Sequence, residues 1–187
     1  DVERVVANLL RIEPKARVRL IFHGPFAYQV TNSFRIYAAA DVLEARLMDI
    51  LREEKGGTYH VETDVDLDRF PEPCYRASIT YTCAPERADE LTRAVFAAIA
   101  AIQFDGIADS YIEKIREARR RTREKEVVRN SFWVRTLKNC VYFDRPFSDI
   151  AKFDDLVDGW NAAICRDAVR AYFRPERYIQ VTLLPEK

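Results

Sequence analysis

Two stretches, TYHVETDVDL at 58–67 and CYRASITYTC at 74–83, constrain the fold of this chain more than any other feature. In the first, Tyr59, Val61, Thr63, Val65 and Leu67 alternate with His60, Glu62, Asp64 and Asp66. In the second, Tyr75, Ala77, Ile79, Tyr81 and Cys83 alternate with Arg76, Ser78, Thr80 and Thr82. A period of two puts successive side chains on opposite faces of a strand, so each segment has one apolar and one polar face. A parallel sheet covered by helices on both sides has no room for that polar row. The two segments therefore pair as an antiparallel hairpin across a loop holding Pro71 and Pro73, in a sheet with one wet face.

The rest of the chain builds around this hairpin. Residues 2–11 read as a weak helix, and Pro14 ends it. ARVRLIFHG follows as a half-buried strand, with Val18, Leu20 and Phe22 on one face and Gly24-Pro25 closing it. A long helix capped by Asn32 or Ser33 runs to about Lys55, with Leu43, Leu47, Ile50 and Leu51 as one apolar stripe. Gly56-Gly57 stops it. Beyond the hairpin, Pro85-Glu86 opens a helix carrying Leu91, Ala94, Val95, Ala98, Ile99 and Ile102, ended by Asp105-Gly106. Further helices are expected over 109–130, 131–142, 149–158 and 161–173, and RYIQVTLL forms a last strand after Pro175. This order is an α+β, ferredoxin-like (split β-α-β) antiparallel sheet with helices packed on one face and extra helices before the final strand. No repeat or linker divides it, so residues 1–187 read as a single domain with 1–14 as a poorly defined lead-in.

Composition excludes several functions. Thirty Lys and Arg balance thirty Asp and Glu, so no global field draws the chain to nucleic acid or an anionic membrane. No apolar run approaches the roughly 20 residues of a membrane span. The two histidines, His23 and His60, are 37 positions apart and sit in no zinc-binding pattern, so no metal site is expected in this chain. The four cysteines lack C-x-x-C spacing and read as buried free thiols, with Cys74 and Cys83 at opposite ends of one strand. The chain starts at Asp1 and not Met, so it is expected to be a processed product or a piece of a longer polypeptide.

Three features are candidates for function. The run KIREARRRTREKEVVR at 114–129 has an excess of positive charge that could meet phosphates, but pairs such as Glu117 and Arg121 at i+4 fit a solvated helix better. The row His60, Glu62, Asp64 and Asp66 could bear a metal or acid/base site. Alternate strand residues stand about 7 Å apart, however, which makes a row and not a cage. In LREEKGGTYHV, Arg52 ends a helix, two glycines turn the chain, and Tyr59 begins a strand. Such a turn can bring a guanidinium and a phenol to one rim, where both donate hydrogen bonds without titrating. That suits a peptide carbonyl or a developing oxyanion, although a helix-end cation and a core aromatic fit the same pattern.

VRLIFHGPFAY, VLEARLMDILREEKGGTYHV, ITYTCAPERADEL, IREARRRTREKEVVRNSFW and AVRAYFRPERYIQVTLLPE together resemble the C-terminal, non-metal-binding domain of the pitrilysin/insulinase family of zinc metallopeptidases. The likeness runs from about Lys15 to the end of the chain and is strongest in the Leu-Arg-Glu-Glu-x-Gly-Gly-x-Tyr run. Members are clamshells in which one half carries zinc on an inverted His-x-x-Glu-His motif and the other closes over the substrate. The resemblance implies a bacterial metalloprotease whose zinc lies in a partner half, either the N-terminal half of the same chain or a separate subunit. This chain would have no catalytic residue or cofactor of its own and would be inactive alone. Arg52 and Tyr59 match the family's Arg and Tyr that hold the substrate backbone, and Glu62, Asp64, Asp66 and Arg76 would face an unfolded peptide. Strict alternation puts Tyr59 on the face of Val61 and Val65, so the strand start must be distorted for Tyr59 to reach substrate. The resemblance favours a periplasmic over a cytoplasmic parent. The alternatives are a non-catalytic homologue like the core subunits of respiratory complexes, and a ferredoxin-like RNA-binding domain, which the zero net charge opposes.

Overall fold

In the computed structural model, backbone is described for residues 2–9, 15–54 and 58–185, and side chains for 15–51 and 60–185. The hairpin expected from the two alternating segments is present as β3 (Thr58–Asp68) and β4 (Cys74–Cys83), paired antiparallel. β4 also pairs antiparallel with β2 (Ala16–Pro25), which in turn pairs antiparallel with β5 (Tyr178–Pro185). The spatial order β5-β2-β4-β3 is that of the split β-α-β unit.

A fifth strand corrects the reading of residues 2–11 as helical. Val2–Leu9 is β1, and it lies parallel to β5 at the edge of the sheet, giving the order β1-β5-β2-β4-β3. The apolar spacing of this segment fits either period. What selects the strand is the free edge of β5, which offers a complete row of backbone partners, together with the β-branched Val2, Val5 and Val6.

β2 is followed by α1 (Val30–Met48), which begins three or four residues earlier than a cap at Asn32 or Ser33 implies. Neither Asn32 nor Ser33 caps it: the Asn32 side-chain amide donates to the Ala27 carbonyl at 3.0 Å, and Gln29 stands at the cap position. After β4 come α2 (Ala88–Asp105), α3 (Asp109–Val127), α4 (Asn130–Tyr142), α5 (Phe153–Gly159) and α6 (Ala162–Tyr172). A 3₁₀ segment, Phe147–Lys152, precedes α5, and Asn161 caps α6 by accepting a hydrogen bond from the Ile164 N–H at 3.0 Å.

One face of the sheet is covered by α1, α2 and α6. Val18, Leu20 and Phe22 of β2 and Ala77, Ile79 and Tyr81 of β4 are fully buried against Leu43 and Leu47 of α1, Leu91 and Ile99 of α2, and Val169 of α6. The predicted stripes are the buried ones because an amphipathic helix lowers its free energy only by turning that stripe onto apolar sheet. The aromatic centre is Phe22, whose ring meets Phe173 at 5.4 Å, Tyr178 at 6.1 Å and Phe96 at 6.2 Å.

All four thiols are free. Cys83, Cys140 and Cys165 are buried, whereas Cys74 is partly open at the start of β4. Burial pushes the Cys83 thiol up to about 11 and the Cys165 thiol up to about 12, which removes the reactive thiolate near neutrality. Alkylation at pH 8 is therefore expected to modify Cys74 alone in the folded chain and the other three only after denaturation, as read by peptide mass.

Candidate functional site

The uncovered face of the sheet follows from strand register. Across β2 and β4, Arg17 stands opposite Thr82, Arg19 opposite Thr80, Ile21 opposite Ser78 and His23 opposite Arg76. From β4 to β3, Thr80 faces Glu62, Ser78 faces Asp64 and Arg76 faces Asp66. On the other side, Ile179, Val181 and Leu183 of β5 align with Ile21, Arg19 and Arg17. The face thus grades from half-buried aliphatic residues on β5, through arginines and hydroxyls, to an exposed acidic row on β3. The alternation in β3 predicted its acidic part. The aliphatic part runs against the usual alternation, since Ile179, Val181 and Leu183 lie on the open face while Gln180 and Thr182 are buried on the covered one.

Ion pairs organise the acidic side. Arg76 reaches Asp68 at 2.8 Å and Asp66 at 4.0 Å, and His60 Nε2 lies 3.9 Å from Glu62. Arg19 donates to the Ser78 hydroxyl at 3.1 Å. Among the described residues no group of three His, Cys, Asp or Glu side chains converges as a metal site. The row His60, Glu62, Asp64 and Asp66 is strung along the strand, so it can meet charged and amide groups of a ligand but forms no chelate.

β3 is the edge strand opposite β1, and α1 blunts part of that edge. The Thr63 N–H donates to the Glu44 carboxylate at 2.7 Å, while the Thr63 hydroxyl lies 2.9 Å from the same oxygen and 3.2 Å from the Ala40 carbonyl. Nearby, burial raises the Tyr37 phenol above its ordinary range, and the charges of Asp66 and Asp64 add to the shift. Tyr37 accordingly stays protonated beside the acidic row.

Arg52 and Tyr59 lie at the two ends of the connection from α1 to β3. The helix continues as a π-helical segment, Asp49–Glu54, which contains Arg52, and Tyr59 is the second residue of β3. The side chains of both fall outside the described residues. The backbone register is informative here: Thr58 pairs with Cys83 and Val61 with Tyr81, so β3 has two residues where β4 has one. This is a β-bulge, and it breaks strict alternation at the position where Tyr59 required it.

The basic run on α3 is largely paired with groups of this fold. Arg119 pairs with Asp41 at 2.6 Å, Arg121 with Glu117 at 2.8 Å, and Arg116 with Glu113 at 2.5 Å. Arg120 pairs with Asp158, and Arg123 lies over the rings of Phe132 and Phe153 at 4.6 and 4.9 Å. These contacts fit the solvated-helix reading and leave no contiguous phosphate-binding stripe along these guanidinium groups.

A groove of about 740 Å³ lies on the helical side, with no counterpart among the motifs of the sequence. It runs between the last turn of α1, α2 and the loop before α3, and it is open because Ala94, Ala97, Ala98 and Ala101 leave the α2 surface low.

The fold is a one-sided α+β sheet with additional helices before its last strand and a bulge at the start of β3, and among the described residues no group of three His, Cys, Asp or Glu side chains could hold a metal. The family model described as the Peptidase M16 inactive domain matches residues 2–119, and the chain belongs to that family. It is 23% identical over 148 residues to a Haemophilus influenzae protein described as "Probable zinc protease PqqL", a match spanning 74% of this chain and 16% of that protein. The crystal structure of the periplasmic protease PqqL from Escherichia coli superposes with a TM-score of 0.80 at 18% identity, over 98% of this chain and 21% of that one. The inactive peptidase domain from Bordetella parapertussis gives a TM-score of 0.76 at 15% identity, over 96% and 95% of the two chains. This chain therefore spans about a fifth of the full-length PqqL proteins and nearly all of the isolated inactive domain.

Proposed function

We propose that this chain is the metal-free, C-terminal substrate-binding domain of a longer bacterial zinc metalloendopeptidase, acting on peptides or unfolded segments. The observation that carries the reading is the β-bulge between Thr58 and Val61, placed just after the connection that joins Arg52 to Tyr59. The bulge frees the start of β3 from the alternation that would otherwise commit Tyr59 to the core face. A guanidinium and a phenol at that rim donate hydrogen bonds to a substrate carbonyl and to the oxyanion that develops from it.

The zinc belongs to the partner half, where it would supply a Lewis acid and an activated water. This chain's part is to close over that half, hold the peptide backbone through Arg52 and Tyr59, and offer the open sheet face as chamber lining. On that face Glu62 and Asp64 suit cationic side chains, and Ile179 and Val181 suit apolar ones. The likeness to a periplasmic protease supports the periplasm as the compartment of the parent.

The isolated chain is expected to bind no stoichiometric zinc and to cleave no peptide, while the full-length parent holds one zinc per active half. Elemental analysis together with a fluorogenic peptide assay checks this. One tightly bound zinc on the isolated chain would overturn the division of roles.

A further inference from the structure

Between α1, α3, α4 and the segment that leads into α5 lies a pocket of about 250 Å³ that shares no residue with the strands. Three guanidinium groups line it: Arg119 and Arg123, one turn apart on α3, and Arg145 from the turn after α4. Arg119 and Arg123 also line an adjoining cleft of about 350 Å³.

The fold leaves this cluster short of acceptors. Arg119 pairs through Nη2 with Asp41 at 2.6 Å, but its Nε–H is buried without an acceptor. Arg145 Nε is buried 3.5 Å from Asp149 Oδ2 and makes no hydrogen bond. Among the described residues Arg123 pairs with no carboxylate: it donates to the Ile150 carbonyl at 3.2 Å and lies over the Phe132 and Phe153 rings. Stacking occupies the face of a guanidinium and leaves its in-plane N–H groups free to donate. The neighbouring acids are already engaged. Asp149, the carboxylate on the pocket wall, is held by Lys152 at 2.8 Å, and Glu126 on the adjoining cleft by Arg135 at 3.0 Å. A buried N–H without an acceptor costs free energy, and an anion in the pocket would remove that cost.

The rest of the wall selects the kind of anion. Ile150, Phe153 and Leu156 are apolar, while Ser33, Thr136 and Asn139 offer hydroxyl and amide groups. A bare inorganic oxyanion would leave the apolar part uncovered, and a hydrocarbon would leave the guanidinium donors unmet. α1 adds to the positive field, since it opens at Val30 on the same pocket with no acid in its first turn. Sites for drug-sized ligands run to roughly 300–1,000 Å³, so the smaller volume here limits the occupant to a small molecule. We infer that this pocket binds a small organic carboxylate, its charged end among Arg119, Arg123 and Arg145 and its apolar body against Phe153 and Leu156. The site is separate from the peptidase reading, because neither Arg52 nor Tyr59 takes part in it.

Benzoate is the test ligand. Calorimetric titration into this chain is expected to give one site with a Kd of about 1 mM or tighter. Benzamide, which has the same shape without the charge, should bind at least about tenfold more weakly. Arg123→Gln should also weaken benzoate at least about tenfold, with an unchanged urea midpoint showing that the variant folds. Amide chemical-shift mapping on the unaltered chain locates the ligand independently of any variant, and the largest shifts are expected at Ser33, Thr136 and Ile150. Largest shifts on the strands or α2 would overturn the inference, as would full affinity in a folded Arg123→Gln or equal binding of benzamide. The absence of saturable binding would also overturn it, since water would then satisfy the buried N–H groups. Inorganic phosphate binding more tightly than benzoate would overturn the assignment to an organic acid.

Discussion

In the full-length parent, Arg52→Ala and Tyr59→Phe are each expected to lower kcat about 10²- to 10³-fold with zinc content unchanged. That is the magnitude associated with losing one preorganised donor to a developing oxyanion. The effect falls on kcat because the hydrogen bonds strengthen as charge builds on the carbonyl oxygen, whereas uniform binding would appear in KM alone. Arg52→Lys should recover only part of the loss, since an ammonium keeps the charge but not the planar fork. Steady-state kinetics with a fluorogenic peptide, alongside metal analysis, measures all three variants. Unchanged turnover in Arg52→Ala and Tyr59→Phe would reduce this domain to the structural role of a non-catalytic core-subunit homologue.

The largest expected effect on stability is at Phe22. Its ring is fully buried and touches Phe96, Phe173 and Tyr178, which join β2 to α2, the end of α6 and β5. Phe22→Ala removes those contacts and leaves a cavity that the surrounding rings cannot fill, at a cost of about 3–5 kcal/mol. Phe104→Ala on α2, at a position 83% exposed, is the matched control and should fall within about 0.5 kcal/mol of wild type. Urea denaturation followed by tryptophan fluorescence distinguishes them. A similar loss at both positions would contradict the core assignment.

The parts of the fold that could be read from sequence were those in which one physical signal dominated. The alternation of β3 and β4 is a statement about two solvents on two faces, and it predicts the hairpin, the one-sided sheet and the acidic row without knowledge of neighbours. The stripe through Leu43, Leu47, Ile50 and Leu51 is equally local, and all four are buried. Residues 2–11 were misread because their apolar spacing fits two periods and β1 is selected by an edge that β5 supplies from the other end of the chain. The expected cap at Asn32 failed for a related reason, as its side chain found the Ala27 carbonyl in the incoming loop. At the candidate site, the Gly-Gly turn and the need for a distortion before Val61 were visible, whereas the extra residue opposite Thr82 emerges only from cross-strand register.

Sequence alone determined what each segment must bury: the apolar faces of β2, β3 and β4, the helix stripes, and the shortage of histidines that argues against a zinc site of its own. Those are properties of consecutive residues and of composition. The tertiary structure decided which edges pair and which surfaces stay open. It placed β1 beside β5, let Glu44 cover the Thr63 N–H on the outer strand, and left the second apolar side of α4 facing outward. Such outcomes depend on residues far apart in the chain competing for the same backbone partners and the same buried area, and only the assembled fold settles that competition.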